Sequence, residues 1–132
     1  MTAWTSDELT ALAAAGELRI APLRHDGTLS VPVPVWVVRC GDDLYIRSYR
    51  GTSGSWYRSA RARRQGHIQA GGIGKDVTFT QETDPAVNDQ IDAAYRAKYH
   101  RYGSTYLDPM IAAKARDATI KLLPRLRPRL GK

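Results

Sequence analysis

Cysteine is almost missing from this chain: Cys40 is the only one in 132 residues. That excludes an internal disulfide and a thiolate zinc cluster, and it fits a reducing, cytoplasmic setting. No apolar run approaches the ~20 residues that a membrane span needs, and no basic-then-apolar leader opens the chain. His25, His67 and His100 are scattered, and none stands at metal-ligand spacing with another His or Glu on one helix. There is no G-x-G-x-x-G fingerprint joining a strand to a helix and no G-x-S-x-G elbow. The run GGIGKD lacks a phosphate loop's first glycine (position 69 is Gln69), and Asp76 follows Lys75 where Ser or Thr is required; it reads as a hairpin turn. The carboxylates gather in the first helix, two turns and the helix after Pro85, so no acid/base pair and no catalytic side chain can be assembled.

The most informative absence is local. Between Asp43 and Asp76 there is no acidic residue, while Arg47, Arg50, Arg58, Arg61, Arg63, Arg64 and Lys75 are all cationic. The chain nets +7, and its other thirteen cations match its thirteen anions. The whole excess therefore sits in one stretch, which suits an anionic partner: a phosphorylated small molecule, anionic lipid or nucleic acid. Within it the pattern predicts a strand over residues 44–49, a Gly/Ser loop over 51–54 and a helix from about Ser55 to Gln65. Helix N-termini carry unpaired N–H groups and a partial positive charge, so Asp or Glu usually occupies the first turn. Here that turn reads Ser55, Trp56, Tyr57, Arg58. A ligand anion supplying the missing charge is one reading of that inversion; a solvated basic loop is the other.

What is present is otherwise ordinary for one globular domain spanning residues 1–132: 42% hydrophobic and 25% charged residues. Thr5 with Glu8 forms a capping box, Trp4 with Leu9 a hydrophobic staple, and Gly16 suits the C-terminal cap of the first helix. Residues 18–23 read as a strand and His25-Asp26-Gly27-Thr28 as a turn. In SVPVPVWVV, alternation puts Val31, Val33, Val35 and Val37 on one face and Pro32, Pro34, Trp36 and Val38 on the other. The prolines place that strand at an edge, a bulge or a barrel rim. Gly41-Asp42-Asp43 turns it into an antiparallel hairpin with the next strand. Gly66 closes the basic helix, and residues 67–70 and 76–81 pair around Gly71-Gly72-Ile73-Gly74. Thr83 or Asp84 before Pro85 starts a longer helix with the stripe Val87, Ile91, Tyr95, Tyr99, Tyr102, ending at Gly103. A further helical segment (106–114), a closing strand (118–123) and a mobile tail (124–132) complete the chain. Tyr95, Tyr99, Tyr102 and Tyr106 suit core packing, with a cofactor-lining or interface role as the alternative. The architecture expected is mainly β (α+β): a small antiparallel barrel with peripheral helices.

The runs SVPVPVWVVRCGDDLYIRSYRG and SWYRSARARRQGHIQAGG resemble the flavin- and deazaflavin-binding split-barrel (pyridoxamine-phosphate-oxidase-like) superfamily. Pro34-Val35-Trp36, Leu44-Tyr45-Ile46-Arg47-Ser48 and Trp56-Tyr57-Arg58-Ser59-Ala60 carry the likeness. Ser59 stands where the deazaflavin branch has Asn, and Gln65-Gly66 where it has Asn-Pro. More closely, the chain is similar to the small bacterial proteins of domain of unknown function 2255. The resemblance implies a split β-barrel, a homodimer, and FMN or a deazaflavin coenzyme in a cleft at the dimer interface. It implies a phosphate held by Arg47, Ser48, Tyr49, Arg50, Trp56 and Arg58. An oxidoreductase of this kind needs no catalytic side chain, because the ring carries the hydride. The alternatives are a cofactor-less module of the same fold binding another anion or partner, and a nucleic-acid binder using the Arg58–Arg64 face, which rests on the electrostatic footprint alone.

Overall fold

The computed structural model describes residues 3–125. Helix α1 (Ser6–Ala14) begins with the expected capping box, Thr5 accepting from the Glu8 N–H at 3.1 Å and Glu8 accepting from the Thr5 N–H at 2.8 Å. Its C-cap is Ala15 in extended conformation, one residue before the glycine expected there. Seven strands follow, all antiparallel: β1 (Leu18–Pro22), β2 (Val33–Val35), β3 (Val37–Cys40), β4 (Asp43–Arg47), β5 (Gln65–Ala70), β6 (Ile73–Gln81) and β7 (Thr119–Pro124). Their order across the sheet is β2-β1-β5-β6-β7-β4-β3. The two strands at its ends are neighbours in sequence, separated by Trp36 alone, so the sheet curls until its ends nearly meet. This is a split barrel, as expected.

The closing run is two strands rather than one. It breaks at Trp36: β2 pairs with β1 (Val35 opposite Leu18) and β3 with β4 (Val37 opposite Ile46). Val37 faces the barrel interior, whereas Val31 and Val33 stay exposed. Pro32 and Pro34 cannot donate to a ladder, which suits the short edge strand β2.

Side chains from six of the seven strands fill the interior: Leu18, Ile20, Val37, Leu44, Ile46, Ile68, Val77, Phe79, Ile120 and Leu122. Trp4, Leu9 and Leu12 of the α1 segment join them, and the Trp4 indole N–H donates to the Leu122 carbonyl at 2.9 Å. Helix α2 (Ser55–Arg63) adds Tyr57 and Ala60. It stops two residues earlier than the sequence predicts, at Arg64 in the left-handed region (φ 60°). Gly66 lies within β5, and its role is close approach. A Cβ there would sit 2.6 Å from the Ala21 carbonyl oxygen and 2.8 Å from the Pro22 Cα. The β5–β6 turn is made by Gly71 and Gly72, both at positive φ (56° and 80°), as a two-residue hairpin requires.

A second layer covers the outer face of β3 and β4. Helix α3 (Pro85–Tyr99) starts at Asp84, whose carboxylate accepts from the Ala86 N–H at 2.8 Å. It packs Ile91, Tyr95 and Tyr99 on Val38 and Tyr45, together with Leu107 and Met110 of α4 (Ser104–Ile111). Tyr102 and Tyr106 remain exposed, so the tyrosine series divides, its first two members in the core and its last two at the surface. The short helix α5 (Ala113–Arg116) leads into β7. Pro124, expected in a mobile tail, is buried in that strand; the rest of the tail, residues 126–132, lies outside the described residues.

Candidate functional site

Where β4 hands over to α2, a cleft of about 740 Å³ opens. Most of its lining comes from four parts of the chain: the run from Ser30 to Trp36 beside the barrel seam, Arg47 to Arg50 at the end of β4, Gly54, Ser55, Trp56 and Ser59 at the start of α2, and Thr105, Tyr106, Pro109 and Met110 on α4. Glu17 and Pro22 add to it. Of the six residues expected to hold a ligand, five line it: Arg47, Ser48, Tyr49, Arg50 and Trp56. Arg58 is exposed one turn further along α2 and does not line it.

Arg47 departs most from its expected role. Along β4, Leu44 and Ile46 point into the barrel, so Tyr45 and Arg47 point outward beneath α3. The guanidinium is 1% exposed, and all of its N–H groups have internal acceptors. Nε donates to Thr119 Oγ1 at 2.9 Å. Nη1 donates to Asp92 Oδ1 at 2.5 Å and to the Met110 carbonyl at 3.0 Å. Nη2 donates to the Asn88 carbonyl at 3.2 Å and to Asn88 Oδ1 at 2.9 Å. The Met110 carbonyl is one of the last of α4 and has no helical partner of its own. Arg116 holds the other oxygen of Asp92 at 2.6 Å. Arg47 therefore pins α3, α4 and β7 to β4 behind the cleft, with no donor left for a phosphate. A sequence signal existed: Asn88 and Asp92 share one helical face with Ile91 and Tyr95, and polar groups in a buried stripe require an internal partner.

The groups still available are clustered. Ser48 is buried at 2% exposure yet lines the cleft, and its hydroxyl has no hydrogen bond among the described residues. Gly54 faces it so closely that a Cβ would lie 2.3 Å from Ser48 Oγ. Arg50 is exposed, and its Nε donates to the Tyr49 hydroxyl at 3.3 Å. Helix α2 has Gly54 as its cap, no side-chain cap and no acid in its first turn. Its first helical bond runs from the Arg58 N–H to the Gly54 carbonyl, so the N–H groups of Ser55, Trp56 and Tyr57 have no helical acceptor. Ser55, Ser59 and Thr105, none of them among the six residues expected to hold a ligand, add hydroxyls to the lining, and Glu17 is the one carboxylate in it. One end of the cleft thus favours an anion. The remainder is apolar: Val31, Val33, Pro34, Val35, Trp36, Pro109 and Met110, with Tyr49 and Tyr106 at 56% and 65% exposure. No described helix is long and apolar enough to cross a membrane.

The fold recurs in solved structures of low sequence identity. A protein from Listeria innocua provisionally assigned as a pyridoxamine 5'-phosphate oxidase is 10% identical, with a TM-score of 0.59 over 89% of this chain and 88% of that one. A FAD-binding protein from Mesorhizobium loti is 18% identical, with a TM-score of 0.59 over 95% and 91% of the two chains. HutZ, the heme storage protein from Vibrio cholerae, is 11% identical, with a TM-score of 0.62 over 90% and 87%. No curated protein matches the chain. Residues 8–122 match DUF2255, a family described as uncharacterized protein conserved in bacteria, and the chain belongs to that family.

Proposed function

We propose that the cleft binds a phosphorylated flavin, FMN or a deazaflavin coenzyme, with its phosphate at the start of α2. The observation that carries this reading is that one cleft is lined by the uncapped, acid-free start of α2, by Ser48, whose hydroxyl has no hydrogen bond among the described residues and lies against Gly54, and by Arg50. The cofactor fits the site: about 740 Å³ lies within the range that accommodates such a molecule, and an apolar wall adjoins the anion-favouring end. Ser48, Arg50 and the N–H groups of Ser55 and Trp56 hold the phosphate; Tyr49 flanks Arg50, and Arg58 adds charge from one turn away. When bound, the ring supplies hydride transfer, which suits an oxidoreductase acting on a small molecule and explains the lack of an acid/base pair. A second copy of the chain would cover Val31, Val33, Tyr49 and Tyr106, making the protein a homodimer with the cleft at its interface. The FAD-binding relative of the same fold supports this reading.

Titration with FMN and with a deazaflavin coenzyme, each followed by absorbance and fluorescence, tests it. Wild-type protein should bind one of them, and Arg50→Ala should weaken that binding by about 1.5–3 kcal/mol, the range for a hydrogen bond to a charged group. Failure of the wild type to bind either one refutes the reading.

A second reading rests on the outer face of α2. Arg58, Arg61, Arg63 and Arg64 are exposed, and none makes an ion pair within the described residues. A cofactor-less module binding a polyanion such as nucleic acid through that face would show steeply salt-dependent retention and no flavin binding.

A further inference from the structure

The barrel closes at a single residue. Val35 belongs to the β1 ladder and Val37 to the β4 ladder, so Trp36 crosses the seam with neither ladder holding it. Trp36 nevertheless lines the cleft, between Val35 and the end of β4. Its support comes from α3. The Tyr99 ring lies flat against the indole, with centroids 3.9 Å apart and planes 1° from parallel, and Tyr102 leans on both rings. The Tyr99 hydroxyl donates to the Gly16 carbonyl at 2.9 Å and accepts from the Val37 N–H at 3.2 Å. A hydroxyl has one proton to give, so the Val37 carbonyl falls to Lys98, whose ammonium donates to it at 2.6 Å. The backbone groups that the broken strand leaves unpaired are thus met by two consecutive side chains of α3. One hydroxyl also ties the segment entering β3 to the segment entering β1, where Glu17 lines the same cleft.

We propose that Tyr99, seconded by Lys98, is the positioning residue that fixes Trp36 in the cleft wall and so sets the shape of the apolar end of the ligand site. This rests on the cleft being that site. Tyr99 acts from behind: neither it nor Lys98 lines the cleft, and Trp36 is the surface they present. Its ring supplies a flat backing and its hydroxyl the register, so removing the hydroxyl alone frees the seam without opening a cavity.

The test uses full-length protein labelled with 5-fluorotryptophan. Its three tryptophans, Trp4, Trp36 and Trp56, give three fluorine resonances, the middle one assigned by Trp36→Phe. In Tyr99→Phe the Trp36 resonance should shift and broaden while those of Trp4 and Trp56 stay in place. A merely structural loss would move all three. The affinity for whichever of FMN or deazaflavin the wild type binds should fall about three- to tenfold, the worth of one hydrogen bond. Lys98→Met should do the same more weakly, and it carries the test if Tyr99→Phe fails to fold. A Trp36 resonance that does not move in a folded variant overturns the proposal, as does one that moves with affinity unchanged. A wild type that binds neither cofactor sinks the ligand reading instead, and the fluorine spectra still decide whether Tyr99 holds Trp36.

Discussion

The inside of the barrel and the layer between its outer face and α3 are held together by different physics. Inside, the contacts are almost wholly apolar, from Leu12, Leu18, Ile20, Leu44, Ile46, Ile68 and Ile120, and geometry comes from the strand ladders. Burial of that kind is strong and indifferent to direction. Outside, Tyr95, Tyr99 and Met110 share the layer with a connected polar group: Arg47, Asp92, Asn88, Thr119 and Arg116. Each bond of that group specifies a position. The cleft takes one wall, Thr105 to Met110, from the outer layer. Both layers stabilise the fold, but only the polar one, through the bond from Arg47 to the Met110 carbonyl, fixes where α4 stands against the cleft.

The sharpest way to break this comparison is Arg47→Ala. It leaves Asp92 buried, its side chain 12% exposed, with only Arg116 beside it. Removing one partner of a buried pair costs about 3–5 kcal/mol. Urea unfolding should show a loss of that size, and a loss under 1 kcal/mol would mean that the network is ornamental. Ile46→Ala, one residue earlier and on the opposite face, should cost about 2–5 kcal/mol by transfer and cavity formation. Being inside the barrel, it should leave ligand affinity in the folded protein unchanged, whereas Arg47→Ala should weaken it by displacing α4. Equal effects on affinity would erase the distinction between the layers. Arg50→Ala sharpens the contrast from the other side. It is exposed and takes no part in the network, so stability should stay within about 0.5 kcal/mol while anion binding drops.

These neighbouring arginines also show how far the sequence could be read. Elements with local chemistry were legible: the Thr5–Glu8 box, Asp84 before Pro85, the Gly71-Gly72 turn, and α2 starting at Ser55. So was the departure from the dipole rule that marks the site corner. The role of Arg47 was not, because it depends on which strand face meets α3 and on Asn88 and Asp92, more than forty positions away. Strand periodicity puts Arg47 on the same face as Tyr45, but nothing local tells which face is covered. Gly66 was read as a helix cap when the constraint was the close passage of β1, a non-local contact. The break at Trp36 was hidden because both halves of SVPVPVWVV obey the same alternation; only sheet closure separates them. Arg58 fell outside the cleft because helical rotation carries it to the solvent side of α2.

The smallest expected effect is a pH dependence that belongs to the outer layer alone. Burial there pushes the Tyr99 phenol up to about 12 and raises Tyr45 and Tyr95 as well, while it pulls the Lys98 ammonium down to about 8. For Lys98 the folded value lies below the ordinary 10.5. Between about pH 8 and 10.5 the unfolded chain binds the proton and the native state has released it, so stability rises with pH across that window. For the tyrosines the sign reverses: above pH 10 the unfolded chain loses phenolic protons that the native state keeps, and stability falls. Burial raises the Cys40 thiol of the same layer from 9.0 too, so it opposes the lysine from about pH 9. Together these groups predict a shallow maximum between about pH 9 and 10 in denaturant midpoints measured from about pH 7 to 11. Lys98→Met should remove the rising limb and leave the falling one, because Tyr45, Tyr95 and Tyr99 remain. If the rise survives in Lys98→Met, its source is another group and the ammonium at the barrel seam is solvated like any surface lysine.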